Sequence, residues 1–505
     1  MREKKRWENE ELLQIGRRDA HTDFRTYSNT TEWISLDGEW KFLYLKAPEY
    51  SPKGFEAEVF EDGHWDTITV PSCWQLKGYG NMHYTDVWYL FPINPPFVPS
   101  ENPTGIYRRT IEIPTDWANR RNVLRFEGVS SAYDVWVNGV YAGYSKVSRL
   151  ASEFDITELL HAGENQITVR VYQWSDGTYL EAQDMWWYSG IIRSVSLVSE
   201  PECAFADYVV EADLTGDYSK GILRQSVKAS KEADSVSWKL NDMLGTCIAE
   251  GVALLVDGQA QWECEIANVN PWSAETPVLY ELSARLVRNG TAEDEALIKT
   301  GFRKIELKGC NFLVNGQPIL LSGVNMHDFS PKNGGTVERA VVEEDMCLMK
   351  QHNINAIRCS HYPKQPYFYE LCDFYGFYVI DEADLETHGF EWIEKYEWLN
   401  EEPTWKNAYC DRSVRMVKEH RNHPCILMWS LGNESSTGTN FTETANAIRE
   451  IDRSRLIHYE SDFEADITDV YSTMYTRLDG MRRIGENNDS HNKPCLLYTS
   501  PSPRD

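Results

Sequence analysis

The chain has 505 residues, 42% of them apolar, which is length for roughly three domains at ~150 residues each, every one with its own core. Its net charge of −28 argues against a nucleic-acid partner, because phosphate binding needs clustered Lys and Arg. Eleven scattered Cys with no C-x-x-C pair point to reduced thiols, not to a disulfide frame. Residues 1–21 are charged throughout and lack an apolar signal core, and no later run reaches membrane-spanning length. A soluble, cytoplasmic protein without a membrane partner is therefore expected.

Residues 1–35 look like an irregular N-terminal lead-in. From 36 to 201 the pattern is short alternating segments broken by Gly, Pro and Asn, such as Tyr133-Asp-Val-Trp-Val-Asn-Gly. Period two with frequent turns predicts an antiparallel sandwich of jelly-roll size. Asn138-Gly139 is placed as a hairpin turn of φ > 0 residues. Residues 202–304 carry about seven further short strands, which fits an immunoglobulin-like β-sandwich acting as a spacer.

From 305 the pattern turns to strand–helix alternation. Strands are predicted at 319–325, 355–360, 377–382, 426–429, 456–459 and 470–475, with helices at 337–352, 366–375, 405–419 and 441–451. Repeated β-α units with buried strands mean a parallel sheet. No Gly-rich phosphate loop follows the first strand, so a TIM (β/α)8 barrel is favoured over a doubly wound sheet.

The barrel reading predicts that chemistry-bearing residues collect where strands end. Strand one runs into Asn325-Met-His327-Asp328 and strand two into Arg358-Cys-Ser-His361. Strand three runs into Asp381-Glu382 and then Glu386-Thr-His388. Strand four, Ile426-Leu-Met-Trp-Ser, stops at Gly432-Asn433-Glu434, and strand six runs into Met474-Tyr475. Paired carboxyl groups at such ends suit glycoside hydrolysis, with one as general acid and the other as nucleophile, ~5–5.5 Å apart in retaining enzymes. Glu434 suits the acid/base role. Glu386, His388 and Glu434 could also share a hard cation such as Mg²⁺, although Glu-x-His spacing alone is weak evidence.

Several long motifs in order then carry a resemblance. They are Asn94-Pro-Pro-Phe-Val-Pro-Ser-Glu-Asn-Pro-Thr-Gly, Trp174-Ser-Asp-Gly-Thr-Tyr-Leu-Glu-Ala-Gln-Asp-Met-Trp, Gly323-Val-Asn-Met-His, Asn355-Ala-Ile-Arg-Cys-Ser-His-Tyr-Pro, Glu386-Thr-His-Gly and Trp429-Ser-Leu-Gly-Asn-Glu. From about residue 33 to 494 the chain resembles the large multidomain bacterial β-galactosidases of glycoside hydrolase family 2. The resemblance implies the domain order jelly-roll, immunoglobulin-like sandwich, barrel. It implies retaining hydrolysis of terminal β-D-galactose from β-galactosides such as lactose, with Glu434 as acid/base. It implies Mg²⁺ on Glu386, His388 and Glu434, and a homo-oligomer at full length. His327, His361, Asn433 and Tyr475 would surround the galactosyl group. Asp184 would reach the sugar and a monovalent cation, usually Na⁺. Asp86 stands where the family usually has Asn in a sugar-contacting loop. After Glu434 the chain has Ser-Ser-Thr-Gly where the family often has Ser-Gly-His-Gly.

One departure is larger. The family's seventh strand runs from Lys-Pro to Cys-Glu-Tyr, whose Glu is the nucleophile. This chain has Lys493-Pro494 and then Cys-Leu-Leu-Tyr-Thr-Ser-Pro-Ser-Pro-Arg-Asp, so Thr499 stands at the nucleophile's expected place. A hydroxyl that is neutral at pH 7 cannot stabilise an oxocarbenium-like transition state. Residues 495–505, read back through the genetic code, can be spelled as a transposon sequencing adapter, so this tail is expected to be foreign. The barrel of 305–494 is expected to be incomplete and the chain as written inactive. The competing expectation is a galactoside-binding protein that kept the pocket and lost catalysis.

Overall fold

A computed structural model describes residues 3–24, 30–486 and 491–498. Thr499, and the tail from 499 onwards, lie outside these. The chain divides into two compact units: residues 1–20, 28–204 and 328–338 in the first, and 21–27, 205–327 and 339–505 in the second.

The first unit is a β-sandwich. One sheet has seven antiparallel strands, in the order Gln14–Ile15, Val140–Lys146, Ala132–Val137, Gly163–Tyr172, Thr104–Ile113, Gly38–Leu45 and Asp66–Val70. A second has four: Ser152–Asp155, Arg121–Phe126, Val195–Glu200 and Glu32–Ser35. Alternation along these strands sends Trp40, Phe42, Leu124, Phe126, Val169 and Leu197 into one buried core, and each such side chain contributes roughly 1.5–3 kcal/mol through its burial. Asn138 and Gly139 form the expected hairpin turn, both with positive φ (50° and 78°), the geometry that matches the twist of the flanking strands. The lead-in is less irregular than expected. Gln14–Ile15 pairs with Tyr144 and Ser145, and Glu32–Ser35 pairs with Val195–Glu200. Strands this short carry too little periodicity to be seen in sequence.

The second unit begins with seven strands in two antiparallel sheets of three and four, spanning Phe205–Leu214 to Thr291–Thr300. A small antiparallel sheet of Ile305–Lys308, Asn311–Val314 and Gln317–Pro318 follows. It occupies part of the stretch expected to open the strand–helix pattern. Asn315 and Gly316, at φ 53° and 74°, turn the chain there, and the first parallel strand is formed only by the last three residues of the expected 319–325.

The barrel strands are β1 (Gly323–Asn325), β2 (Ala356–Arg358), β3 (Tyr378–Glu382), β4 (Ile426–Ser430), β5 (Leu456–His458), β6 (Tyr471–Met474) and β7 (Cys495–Tyr498). The first five form one parallel sheet in chain order, and β6 pairs in parallel with β7. The first four residues of the expected foreign tail thus form a barrel strand. Intervening helices are α1 (Arg339–Gln351), α2 (Pro366–Tyr375), α3 (Lys406–His420), α4 (Thr439–Ile451) and α5 (Leu478–Gly485). α2 shows how local chemistry sets an element: Pro366 starts it, where a missing N–H costs nothing, and Gly376 in the left-handed region (φ 78°) ends it. β4 lies between β3 and β5 with all five residues buried, as its unbroken apolar run requires. All eleven cysteines are free thiols. Among the described residues no helix is long and apolar enough to cross a membrane.

Candidate active site

Five parallel strands deliver their C-terminal ends to one place, and polar side chains meet there. β2 ends in Arg358, buried to 2% exposure. Its guanidinium grips Glu382 of β3 with two bonds, Nε to Oε2 at 2.7 Å and Nη2 to Oε1 at 3.0 Å. Nη2 also donates to Asn433 Oδ1 at 2.9 Å. Two parallel N–H···O bonds fix geometry as well as charge. His361 Nδ1 lies 2.6 Å from Glu382 Oε1. Burial, then the charge of Arg358, hold this imidazole well below its ordinary pKa, so it is neutral. Nδ1 then carries the proton donated to Glu382, and Nε2 is left as an acceptor. The His327 ring meets the His361 ring edge-on at 5.3 Å, and Tyr362 OH lies 3.3 Å from His327 Nδ1.

The end of β4 organises the rest. Asn433 N donates to Leu385 O at 2.9 Å, which fastens this turn to the loop after β3. The side-chain amide of Asn433 donates to both Glu386 Oε2 (2.9 Å) and Glu434 Oε2 (3.1 Å). One amide therefore holds the two carboxyl groups side by side. His388 Nδ1 sits 3.4 Å from Glu434 Oε2, and its Nε2 is 3.0 Å from Glu391 Oε2. Gly432 makes the turn possible. Its φ is 147°, and a Cβ there would lie 2.5 Å from Leu385 O, closer than any real contact. Gly432→Ala is expected to push Asn433 and Glu434 off Glu386 and to destabilise the fold by roughly 1–3 kcal/mol. Denaturant unfolding of the variant checks this; an unchanged midpoint would refute it.

Glu386, His388 and Glu434 offer one ligand atom each, all within 4.8 Å of one another. Glu386 is fully buried, and among the described residues its Oε1 has no hydrogen-bond partner. An orphaned carboxylate oxygen beside a second carboxylate and an imidazole suits a hard cation, so the donor set fits Mg²⁺. Burial, then the charge of Glu434, push the Glu386 carboxyl well above its ordinary range. Burial also pushes Glu434 up, but His388, then the charge of Arg358, bring it below its ordinary value. Two carboxyl groups this close resist ionising together, and of the two Glu386 holds its proton the more tightly.

Other expected residues are more dispersed. Tyr475 follows β6 at φ 56° and is 60% exposed. Asp86 and Asp184 belong to the first unit. There Tyr84 OH donates to Asp184 Oδ1 at 2.5 Å, and this bond, then burial and the charges of Asp184 and Asp86, raise the Tyr84 pKa to about 12. Among the described residues the Glu386 cluster is the one group with three or more candidate ligands. A monovalent cation on Asp184 would need carbonyl oxygens as well.

Three site residues escaped the sequence reading as functional. Arg358 and Glu382 were visible at strand ends, but their pairing was not. Glu460 was missed altogether. It lies two residues beyond β5, is 2% exposed, and accepts a 2.7 Å bond from the backbone N–H of Glu434. Burial, partly offset by Ser461, raises its pKa to about 7. The same strand-end test, applied to strand five, picks it out.

The family profile described as "Glycosyl hydrolases family 2, sugar binding domain" matches residues 33–201, "Glycosyl hydrolases family 2" matches 203–303, and "Glycosyl hydrolases family 2, TIM barrel domain" matches 305–499. A beta-galactosidase of Pectobacterium atrosepticum is 40% identical over 502 residues, covering 94% of this chain and 48% of that protein. One from Vibrio vulnificus is 39% identical with the same coverage. The chain thus spans about half the length of the curated relatives it matches. Among solved structures, Ruminococcus gnavus beta-glucuronidase superposes with a TM-score of 0.79 at 22% identity, over 95% of this chain and 85% of that one. Bifidobacterium dentium beta-glucuronidase gives 0.75 at 22% identity with the same coverage. At that identity the likeness shows the fold, β-sandwich domains joined to a TIM barrel domain. With three consecutive profiles covering nearly its whole length, this chain belongs to glycosyl hydrolases family 2.

Proposed function

We propose that the protein from which this chain comes is a retaining β-galactosidase, with Glu434 as acid/base. The observation that carries this reading is the paired carboxyl arrangement at the end of β4, where Asn433 bridges Glu386 and Glu434. The 40% identity to beta-galactosidases favours galactosides over glucuronides, since the glucuronidase likeness rests on fold alone.

In the first step Glu434 protonates the glycosidic oxygen while a second carboxylate attacks the anomeric carbon. In the second step Glu434 takes a proton from the incoming water. Glu434 needs a proton to begin. With His388 neutral, the main interaction that lowers Glu434 is gone, and burial raises it against the charge of Arg358, towards the range of a general acid. Asn433 orients Glu434 through its amide and Glu460 through the backbone N–H. His361 presents a neutral acceptor to a sugar hydroxyl.

Mg²⁺ would be held by Glu386, His388 and Glu434, where it would neutralise two neighbouring carboxylates. Coordination requires an ionised Glu386 and a neutral His388, whose pKa is itself raised: burial lowers it, but Glu434 and Glu391 outweigh that. Binding therefore releases protons, and affinity rises with pH. The Mg²⁺ Kd is expected to tighten as pH rises, until Glu386 is ionised and His388 neutral. Glu386→Gln should remove most of the affinity. Calorimetric titration in two buffers of different ionisation enthalpy checks both; a pH-independent Kd would contradict proton release.

The nucleophile is the exception. Thr499 stands at its expected place and lies outside the described residues. Arg358 Nη1, buried and without a partner among the described residues, together with a ring contact at 4.8 Å to Tyr498, supports a pocket suited to an anion there. With Thr at 499, the chain as written is inactive on this reading. A galactoside-binding role is the second reading, favoured by the same substitution. Assay of the purified chain on an aryl β-galactoside tests the first: substantial turnover would contradict inactivity.

A further inference from the structure

At the opposite ends of β4 and β5 from Glu434 lies a cavity of about 340 Å³. It is lined by Phe205–Leu214, by the linker residues 300–305, and by the loops that lead into β4 and β5. Five cationic side chains line it, Arg303, Lys304, Arg421, Arg453 and Arg455, against two carboxylates, Glu211 and Asp213. In a chain where acidic residues exceed basic ones by 28, this is a local inversion of charge.

The counter-ions do not cancel it. Glu211 pairs with Arg224 at 2.6 Å, and Asp213 lies 3.4 Å from Arg224 and 3.5 Å from Lys304. Arg455 is matched by Asp452 at 2.7 Å and Arg421 by Asp207 at 2.6 Å, yet among the described residues the buried Arg421 Nε has no partner. Arg453 is exposed, and among the described residues it holds only the Arg449 carbonyl, at 3.1 Å. Arg303 is the strongest signal. It is 6% exposed, and its Nε and Nη2 donate to the carbonyls of Pro424 and Ile426. Among the described residues no carboxylate pairs with it. Burial, then the charge of Arg455, bring its pKa down to about 9, so it remains a cation at neutral pH. A buried guanidinium without a counter-ion is costly unless something supplies the negative charge.

We propose that this cavity binds a phosphate dianion, free or as the monoester of a small sugar, on Arg303, Arg421 and Arg453. Guanidinium forks match the tetrahedral oxygens of such a group, and the volume admits a phosphate with a small substituent. The site lies on the face of the barrel strands away from Glu434, so occupancy acts on the joint between the sandwich strands and the barrel rather than on bond cleavage.

The test uses the full chain, freed of phosphate and titrated by calorimetry at constant ionic strength. Inorganic phosphate and a hexose 6-phosphate are the two probes, and chloride is the control. Saturable binding of either probe with a Kd at or below about 1 mM supports the site, and the tighter probe identifies the source. Arg453→Glu, an exposed change that leaves the barrel base intact, should weaken binding by about tenfold or more, and Arg303→Met should abolish it. The proposal is overturned if chloride gives the same heat, or if Arg453→Glu leaves the phosphate titration unchanged. Arg453→Glu decides the matter even if Arg303→Met fails to fold.

Discussion

Thr499→Glu is expected to raise turnover of an aryl β-galactoside by on the order of 10³-fold or more over the chain with Thr, because the step it restores is attack by an anionic carboxylate. Everything else the reaction needs is in place on this account. Glu434 is oriented by Asn433 and Glu460, His361 is neutral, and Arg358 has a spare buried donor beside Tyr498. Adding Glu434→Gln to Thr499→Glu should remove most of the gain, and more of it for a poor leaving group than for a good one, because only the poor one needs the proton. Steady-state assays with two aryl leaving groups separate these cases. No gain from Thr499→Glu in a chain that still folds cooperatively would count against 499 as the nucleophile's position.

Arg358→Met should cost roughly 3–5 kcal/mol of stability, the largest single-residue effect expected in the barrel. The change leaves Glu382 as a buried carboxylate with its bidentate partner gone, and breaking one side of a buried pair costs far more than the pair contributes. It also frees Asn433 Oδ1, so the amide that positions Glu386 and Glu434 loses its anchor. Replacing both Arg358 and Glu382 by apolar residues should recover part of the loss, since no lone charge remains. Denaturant unfolding of the single and double variants gives the answer. A single variant as stable as the parent would contradict the cost assigned to the broken pair.

The fold was legible where local chemistry and period agreed. α2 begins at a Pro and stops at a Gly, and the sequence alone places both ends. β4 is an unbroken apolar run between turn residues, and it is found one residue longer than expected. Legibility failed for strands of two to four residues. Gln14–Ile15 and Glu32–Ser35 join sandwich sheets through partners more than a hundred residues away, and such pairing leaves no periodic trace. The same limit applies to the site. Glu386, His388 and Glu434 stand out as polar groups where strands end, but the amide of Asn433 that bridges two of them is a matter of three dimensions. Arg358 and Glu382 were visible as residues and invisible as a pair. Glu460 was overlooked because β5 is three residues long and its acidic end sits two residues further on. The cationic cavity was out of reach, since its arginines are scattered through 150 positions of an acidic chain.

The most direct test of a galactoside site at these strand ends is calorimetric titration of the chain with a thio-β-galactoside and a thio-β-glucuronide, in the presence of Mg²⁺. Neither ligand needs the nucleophile in order to bind. The account predicts saturable binding of the galactoside at least about tenfold tighter than the glucuronide, a difference of roughly 1.4 kcal/mol, and its loss in Asn433→Ala. Tighter binding of the glucuronide, or galactoside binding that survives Asn433→Ala unchanged, would contradict it.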